Sequence, residues 1–178
     1  MTRTLTLASA SLLALALAHG AAQAQDTSYG YQPGDWQFTL SGTGTNDRDF
    51  DSGSLGASFG LSYFFTSGLE AGLRQDMFFA DTGRDTRWSA TTRGGAWYNF
   101  DFGRLKPFIG ASLGYTYGDN VNDTLVIGPE VGLKYFVNAT TFVYGQTAYQ
   151  YFIENDDDVT GRFEDGSFNH TIGIGFRF

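Results

Sequence analysis

Ser54-Leu55-Gly56-Ala57-Ser58-Phe59-Gly60-Leu61-Ser62-Tyr63 alternates without interruption between a large or apolar residue and a small one. A period of two is that of a β-strand, whose successive side chains point to opposite faces. Leu55, Ala57, Phe59, Leu61 and Tyr63 share one face, and Gly56, Ser58, Gly60 and Ser62 the other. The second face carries no charge, so it makes a poor solvated exterior. It suits a crowded interior, which turns the greasy side outward.

The same pattern recurs on both sides of this segment. Strands are predicted at 35–45, 54–65, 69–80, 87–100, 105–117, 125–136, 141–153 and 167–178. Trp36, Phe38 and Leu40 oppose Gln37, Thr39 and Ser41; Leu69, Ala71, Leu73, Met77 and Phe79 oppose Glu70, Gly72, Arg74, Asp76 and Phe78. In the fourth strand the phase is carried by Trp88, Ala90, Ala96, Tyr98 and Phe100 and is weakest over 92–95. No stretch shows apolar spacing of helical period over several turns. Each strand has about the 9 to 11 residues that a tilted membrane strand requires.

The connections alternate. Those at 66–68, 101–104 and 137–140 are short, whereas 46–53, 81–86, 118–124 and 154–166 are more polar and hold thirteen of the nineteen acidic residues. Short turns on the periplasmic side and longer loops outside are the habit of bacterial outer-membrane barrels. The expected fold is therefore all-β, an eight-stranded antiparallel transmembrane barrel.

The ends and the composition agree. Residues 1–24 read as a cleavable secretory signal: Arg3, an apolar run over 5–18, and the small-residue end Ala22-Gln23-Ala24. That run is shorter than the roughly 17 to 25 residues of a spanning helix. Residues 25–34 would form a periplasmic N-terminal segment, either a tail or an inward plug, and 35–178 the barrel domain. Loss of Arg3 takes the net charge from −8 to −9, which disfavours nucleic acid as a partner. The chain has no cysteine, so neither disulfides nor thiol chemistry enter. Lys occurs only at 106 and 134, too rarely for a soluble surface. A secreted lipocalin-like barrel would share the strand count but would need its charged face outside. Tyr and Trp near strand ends (Trp36, Tyr63, Trp88, Tyr98, Tyr117, Tyr135, Tyr151) are placed as interfacial girdles.

The final segment, Phe168-Asn169-His170-Thr171-Ile172-Gly173-Ile174-Gly175-Phe176-Arg177-Phe178, resembles the C-terminal assembly signal of outer-membrane proteins. Pro107-Phe108-Ile109-Gly110-Ala111-Ser112-Leu113-Gly114-Tyr115 and Gly128-Pro129-Glu130-Val131-Gly132-Leu133-Lys134-Tyr135-Phe136 are similar to strands of the OmpA/OmpX-like barrel family. The resemblance covers the whole chain after the signal. It implies a porin-like architecture in the Gram-negative outer membrane, insertion by the barrel assembly machinery, and an assembly role for Phe176 and Phe178. It specifies no ligand, and unlike full-length OmpA the chain would bring no peptidoglycan-binding module.

The alternation places Glu70, Arg74, Asp76, Arg93, Lys106, Glu130, Lys134 and Arg177 inward, three acids against five bases. Eight strands leave room for little more than side chains, so a plug of paired charges and small residues is expected, and buried charges must be hydrogen-bonded. The competing reading is a narrow channel for ions or small solutes, gated by those charges and favouring anions through the surplus of bases, with Gly, Ser and Thr leaving space. An enzyme is not expected: His170 is the single histidine after the signal, it faces outward beside Phe168 and Ile172, and Ser167 and Glu164 form no motif with it. No catalytic, cofactor or metal residues are assigned. Asp47-Arg48-Asp49-Phe50-Asp51-Ser52-Gly53 lacks the sixth-position Gly and twelfth-position Glu of a calcium loop. With Glu154-Asn155-Asp156-Asp157-Asp158, it offers at most weak divalent bridging to lipopolysaccharide. A monomer with a structural or surface-interaction role, in contact with outer-membrane lipid and lipopolysaccharide, is the expected function.

Overall fold

A computed structural model describes residues 29–46, 53–81, 86–119, 124–153 and 166–178. The expected signal segment 1–24 and most of each acidic loop fall outside these residues. Eight strands follow one another: β1 Trp36–Asn46, β2 Gly53–Phe64, β3 Leu69–Asp81, β4 Thr86–Asn99, β5 Leu105–Gly118, β6 Thr124–Phe136, β7 Thr141–Ile153 and β8 Gly166–Arg177. Every boundary lies within one residue of its place in the alternation. The strands pair with their neighbours in chain order, all antiparallel, and β8 returns to β1 to close the barrel.

The registers fix the geometry of closure. Stepping straight across the sheet from Trp36 leads through Tyr63, Ala71, Ala96, Ala111, Pro129, Tyr149 and Phe168. The β8–β1 register then lands on Asn46, ten residues beyond the start. That stagger over eight strands sets a tilt of about 40° from the barrel axis. Pro129 has no N–H for the ladder, and pairing between β6 and β7 skips Gly128 and Pro129 without changing register.

Burial follows the alternation. The outer face carries Leu55, Leu61, Leu73, Ile109, Leu113, Val131 and Ile172, all exposed. Such an apolar surface is stable against lipid and unstable against water. Two aromatic belts bound it. Trp36 packs on Tyr63 and Tyr98 on Phe100 at the short-turn end, while Trp88 meets Tyr117 and Tyr149 meets Tyr151 at the loop end. The phase left weakest in the sequence, around Thr92 to Gly95, runs unbroken: Arg93 and Trp97 are buried and Thr92 and Ala96 exposed. Thr92 and its outward neighbour Gln75 hydrogen-bond each other at 2.6 Å and both reach Tyr117, so these polar groups face lipid with partners.

Candidate functional site

Among the described residues, charged side chains converge in the lumen, and β3 and β6 supply most of them. Lys134 donates to both carboxylate oxygens of Glu70, at 2.9 and 3.0 Å, and to Gln37 Oε1 at 3.0 Å. Its ammonium is also surrounded by the rings of Tyr31, Phe64, Phe108 and Phe142, with centroids 5.1–5.7 Å away. Ring faces attract cations, and more strongly where water is excluded. One level higher, Arg74 donates to Glu130 at 3.2 Å and to Gln146 at 3.1 Å. Glu130 is fully enclosed and also accepts from Trp97 Nε1 at 2.8 Å and Ser112 Oγ at 2.6 Å. Higher still, Arg93 grips Asp76, whose other oxygen accepts from Ser58.

The last two inward bases find partners outside the set read from the strands. Lys106 reaches Asp101 in the β4–β5 turn, and Arg177 pairs with Asp35 at 3.5 Å while donating to the carbonyl of Gly30. The expected surplus of two bases is thereby corrected: five bases face five acids, and an anion preference loses its electrostatic basis. Asp35 and Asp101 escape the sequence reading because each sits outside the alternating run, one before β1 and one in a turn. The buried bases meet these carboxylates at the rim, where the Asp101 side chain is 60% exposed. The hydrogen bond from Lys106 holds the Asp101 carboxyl below the usual carboxylate range, against a smaller opposing effect of burial.

The short-turn half of the lumen is filled by aromatics. Tyr31 is buried, stacks on Phe64 with centroids 3.8 Å apart, and donates its hydroxyl to Gln37 at 2.7 Å. Phe136, Phe142 and Tyr144 complete the cluster. Tyr31 thus sits inside this mouth while 32–34 are exposed, and residues 25–28 of the expected N-terminal segment lie outside the described residues. Tyr29 lies under the Arg104 guanidinium, 4.5 Å from ring centroid to Cζ.

A packing rule explains how eight strands hold such bulk. Phe108, Trp97, Phe142 and Tyr144 are each paired across the ladder with a glycine: Gly132, Gly110, Gly175 and Gly173. Each ring folds over its glycine, so that a Cβ at Gly132 would lie 2.4 Å from the Phe108 ring. Glycines that alternation alone leaves as open space are occupied here by neighbouring rings. The loop half is different. There Ser, Thr and Gly line a cavity of about 330 Å³ above the Arg93–Asp76 pair.

Three further residues keep their expected places. His170 is exposed on the outer face, 2.9 Å from Thr147 Oγ1 and stacked near Phe168. Phe176 pairs with Phe38, and Phe178 exchanges both backbone hydrogen bonds with Trp36, which zips the barrel shut at the short-turn end. No cluster of His, Asp, Glu or Cys able to hold a metal is present among the described residues, and 47–52 and 154–158 lie outside them.

The N-terminal β-barrel domain of Pseudomonas aeruginosa OprF superposes with a TM-score of 0.58 at 21% identity, covering 84% of this chain and 99% of that one. The fold is that of a small OmpA-like outer-membrane barrel. OprG of the same organism, an outer membrane protein, superposes with a TM-score of 0.55 at 12% identity, covering 84% of this chain and 98% of that one. No protein-family model and no curated protein matches the sequence. The likeness of the final strand and of the β5 and β6 segments to OmpA/OmpX-like barrels therefore holds at the level of the fold.

Proposed function

We propose that this OmpA-like barrel is an integral outer-membrane protein, exported by the signal at 1–24, with a structural or surface-interaction role through its acidic loops. The observation that carries this reading is the matched closure of the lumen: five ion pairs among the described residues, and Tyr31 seated among Phe64, Phe136 and Phe142. A lumen sealed in this way gives little to conduction and leaves the loops as the part that meets the environment. In this reading Phe176 and Phe178 form the signal read by the barrel assembly machinery, and lipopolysaccharide is the neighbour of the loops.

Planar-bilayer recording of the refolded chain from Gln25 tests the proposal. Folded, inserted protein is expected to be silent. Reproducible conductance steps altered by Arg74→Ala would replace it with a narrow ion pathway.

A further inference from the structure

The β8–β1 seam is unlike the other seven. Its pairing runs from Gln37↔Arg177 to Ser41↔Gly173, five residue pairs, whereas every other seam holds ten or more. Continued at the same register, Gly42 would oppose Ile172 and Thr43 would oppose Thr171. Both strands extend through these residues, but no β8–β1 pairing is present beyond Ser41 among the described residues. With a rise of about 3.3 Å per residue and a tilt of about 40°, Ser41 stands about 13 Å above Trp36. The apolar band of such barrels is about 25 Å tall, so the slot faces the outer leaflet.

Unpaired backbone at membrane depth is tolerated only where it is buried in protein or lines a water-filled cavity. The 330 Å³ cavity lies directly behind the slot and includes Ser41, Gly42, Thr171 and Ile172 in its wall. Its remaining lining combines the apolar Met77 and Phe78 with the His170 imidazole, hydroxyls from Ser58, Ser89 and Thr91 and amides from Gln150 and Asn169, the hydroxyls and amides being groups that both donate and accept hydrogen bonds. Asp76 and Arg93, its only Asp, Glu, Lys or Arg residues, neutralise each other. On the membrane side the slot is flanked by Leu40 and by Ile172, which is 81% exposed.

A chamber of mixed lining, with hydroxyl and amide groups beside apolar side chains and joined sideways to hydrocarbon, matches a molecule with one polar and one apolar end. We propose that the slot and cavity bind a single-chain amphiphile with a neutral, hydroxyl-bearing head group. The head occupies the cavity, where a formal charge would find no free counter-charge. The chain leaves between β1 and β8 along Leu40 and Ile172. A volume near the lower limit for ligand cavities restricts the head to about the size of a glycerol or a single sugar.

The absence of native cysteine makes the test clean. Gly42→Cys together with Ile172→Cys places two thiols opposite each other on the register, and their oxidation closes the slot. The protein in phosphatidylcholine nanodiscs is titrated with monolauroylglycerol and followed by amide NMR. Saturable shifts at Ser58, Thr91 and Asn169 are expected, with binding about tenfold weaker for laurate and for dodecane. The oxidised pair should lose at least about tenfold in affinity, and reduction should restore it. Ser89→Leu, which fills the cavity without touching the slot, should give a similar loss. Absence of saturable shifts, equal binding of dodecane, or unchanged affinity in the oxidised protein would overturn the proposal. If the thiols fail to cross-link, wild-type affinity in Ser89→Leu does the same.

Discussion

Replacing Glu130 by Leu tests whether the middle of the lumen is a dry, interlocked plug. The Glu130 side chain is fully enclosed and Arg74 is 12% exposed, so removal of the carboxylate leaves a guanidinium with the neutral Gln146 amide and the Trp97 ring beside it. Stranding a buried charge costs about 3 to 5 kcal/mol. Trp97 and Ser112 lose their acceptor at the same time, adding on the order of 1 kcal/mol each. With a urea dependence of about 2 kcal/mol per molar, the unfolding midpoint should fall by about 2.5 to 3.5 M. Adding Arg74→Met removes the stranded charge, and the double variant should regain about half of the loss or more, because an ion pair replaced by apolar side chains is often close to neutral. The assay is reversible urea unfolding in lipid vesicles, followed by tryptophan fluorescence, on all four members of the cycle. A midpoint for Glu130→Leu within about 0.5 M of wild type would refute the reasoning. So would a double variant no more stable than the single one, since either result means that water reaches Arg74.

Two other expectations are open to measurement. Leu61→Arg puts a charge near mid-strand on the lipid face, where Leu61 is exposed, and should destabilise by roughly 2 to 4 kcal/mol; equal urea midpoints in vesicles would contradict the facing of β2. Asp101, held below its usual range by Lys106, adds stability above the unfolded carboxyl value of about 3.9 and loses it as pH falls through the lower folded value. The midpoint difference between wild type and Asp101→Asn should therefore stay constant from about pH 8 to 5 and shrink below about pH 4, whereas a difference that persists at the lowest pH would disconnect it from this carboxylate.

The fold was legible because the membrane imposes a strict code. Each strand must show lipid one face, so Leu55, Phe59 and Leu61 against Gly56, Gly60 and Ser62 could hardly be read in another way. The inward charges were legible for the same reason, since Glu70, Arg74, Glu130 and Lys134 fall on the phase opposite the greasy residues. Their partners were less so. Asp35 and Asp101 meet the lumen's bases at its rim through turn geometry, which a period of two does not encode. The aromatic filling was also hidden: Trp97, Phe108, Phe142 and Tyr144 are inward by alternation, yet their bulk conflicts with a small-residue interior until each glycine is set beside the ring across the ladder. That pairing depends on register, and register is a property of two strands at once. The open part of the β8–β1 seam has no counterpart in the sequence pattern, because Gly42 and Ile172 continue their strands without a break.

The two ion pairs that cross from β3 to β6 have opposite polarity. On β3 the acid Glu70 and the base Arg74 are four residues apart, and on β6 the acid Glu130 and the base Lys134 are separated by the same interval. Acid meets base at both levels only for one relative height of the two strands. A cylinder that sealed with β6 displaced by that interval would set Glu130 on Glu70, or Lys134 on Arg74. The arrangement works like a two-digit combination read across the bore: the lipid-facing residues accept many alignments, and the charges inside admit one, so an error in winding the sheet is penalised before the last strand is home.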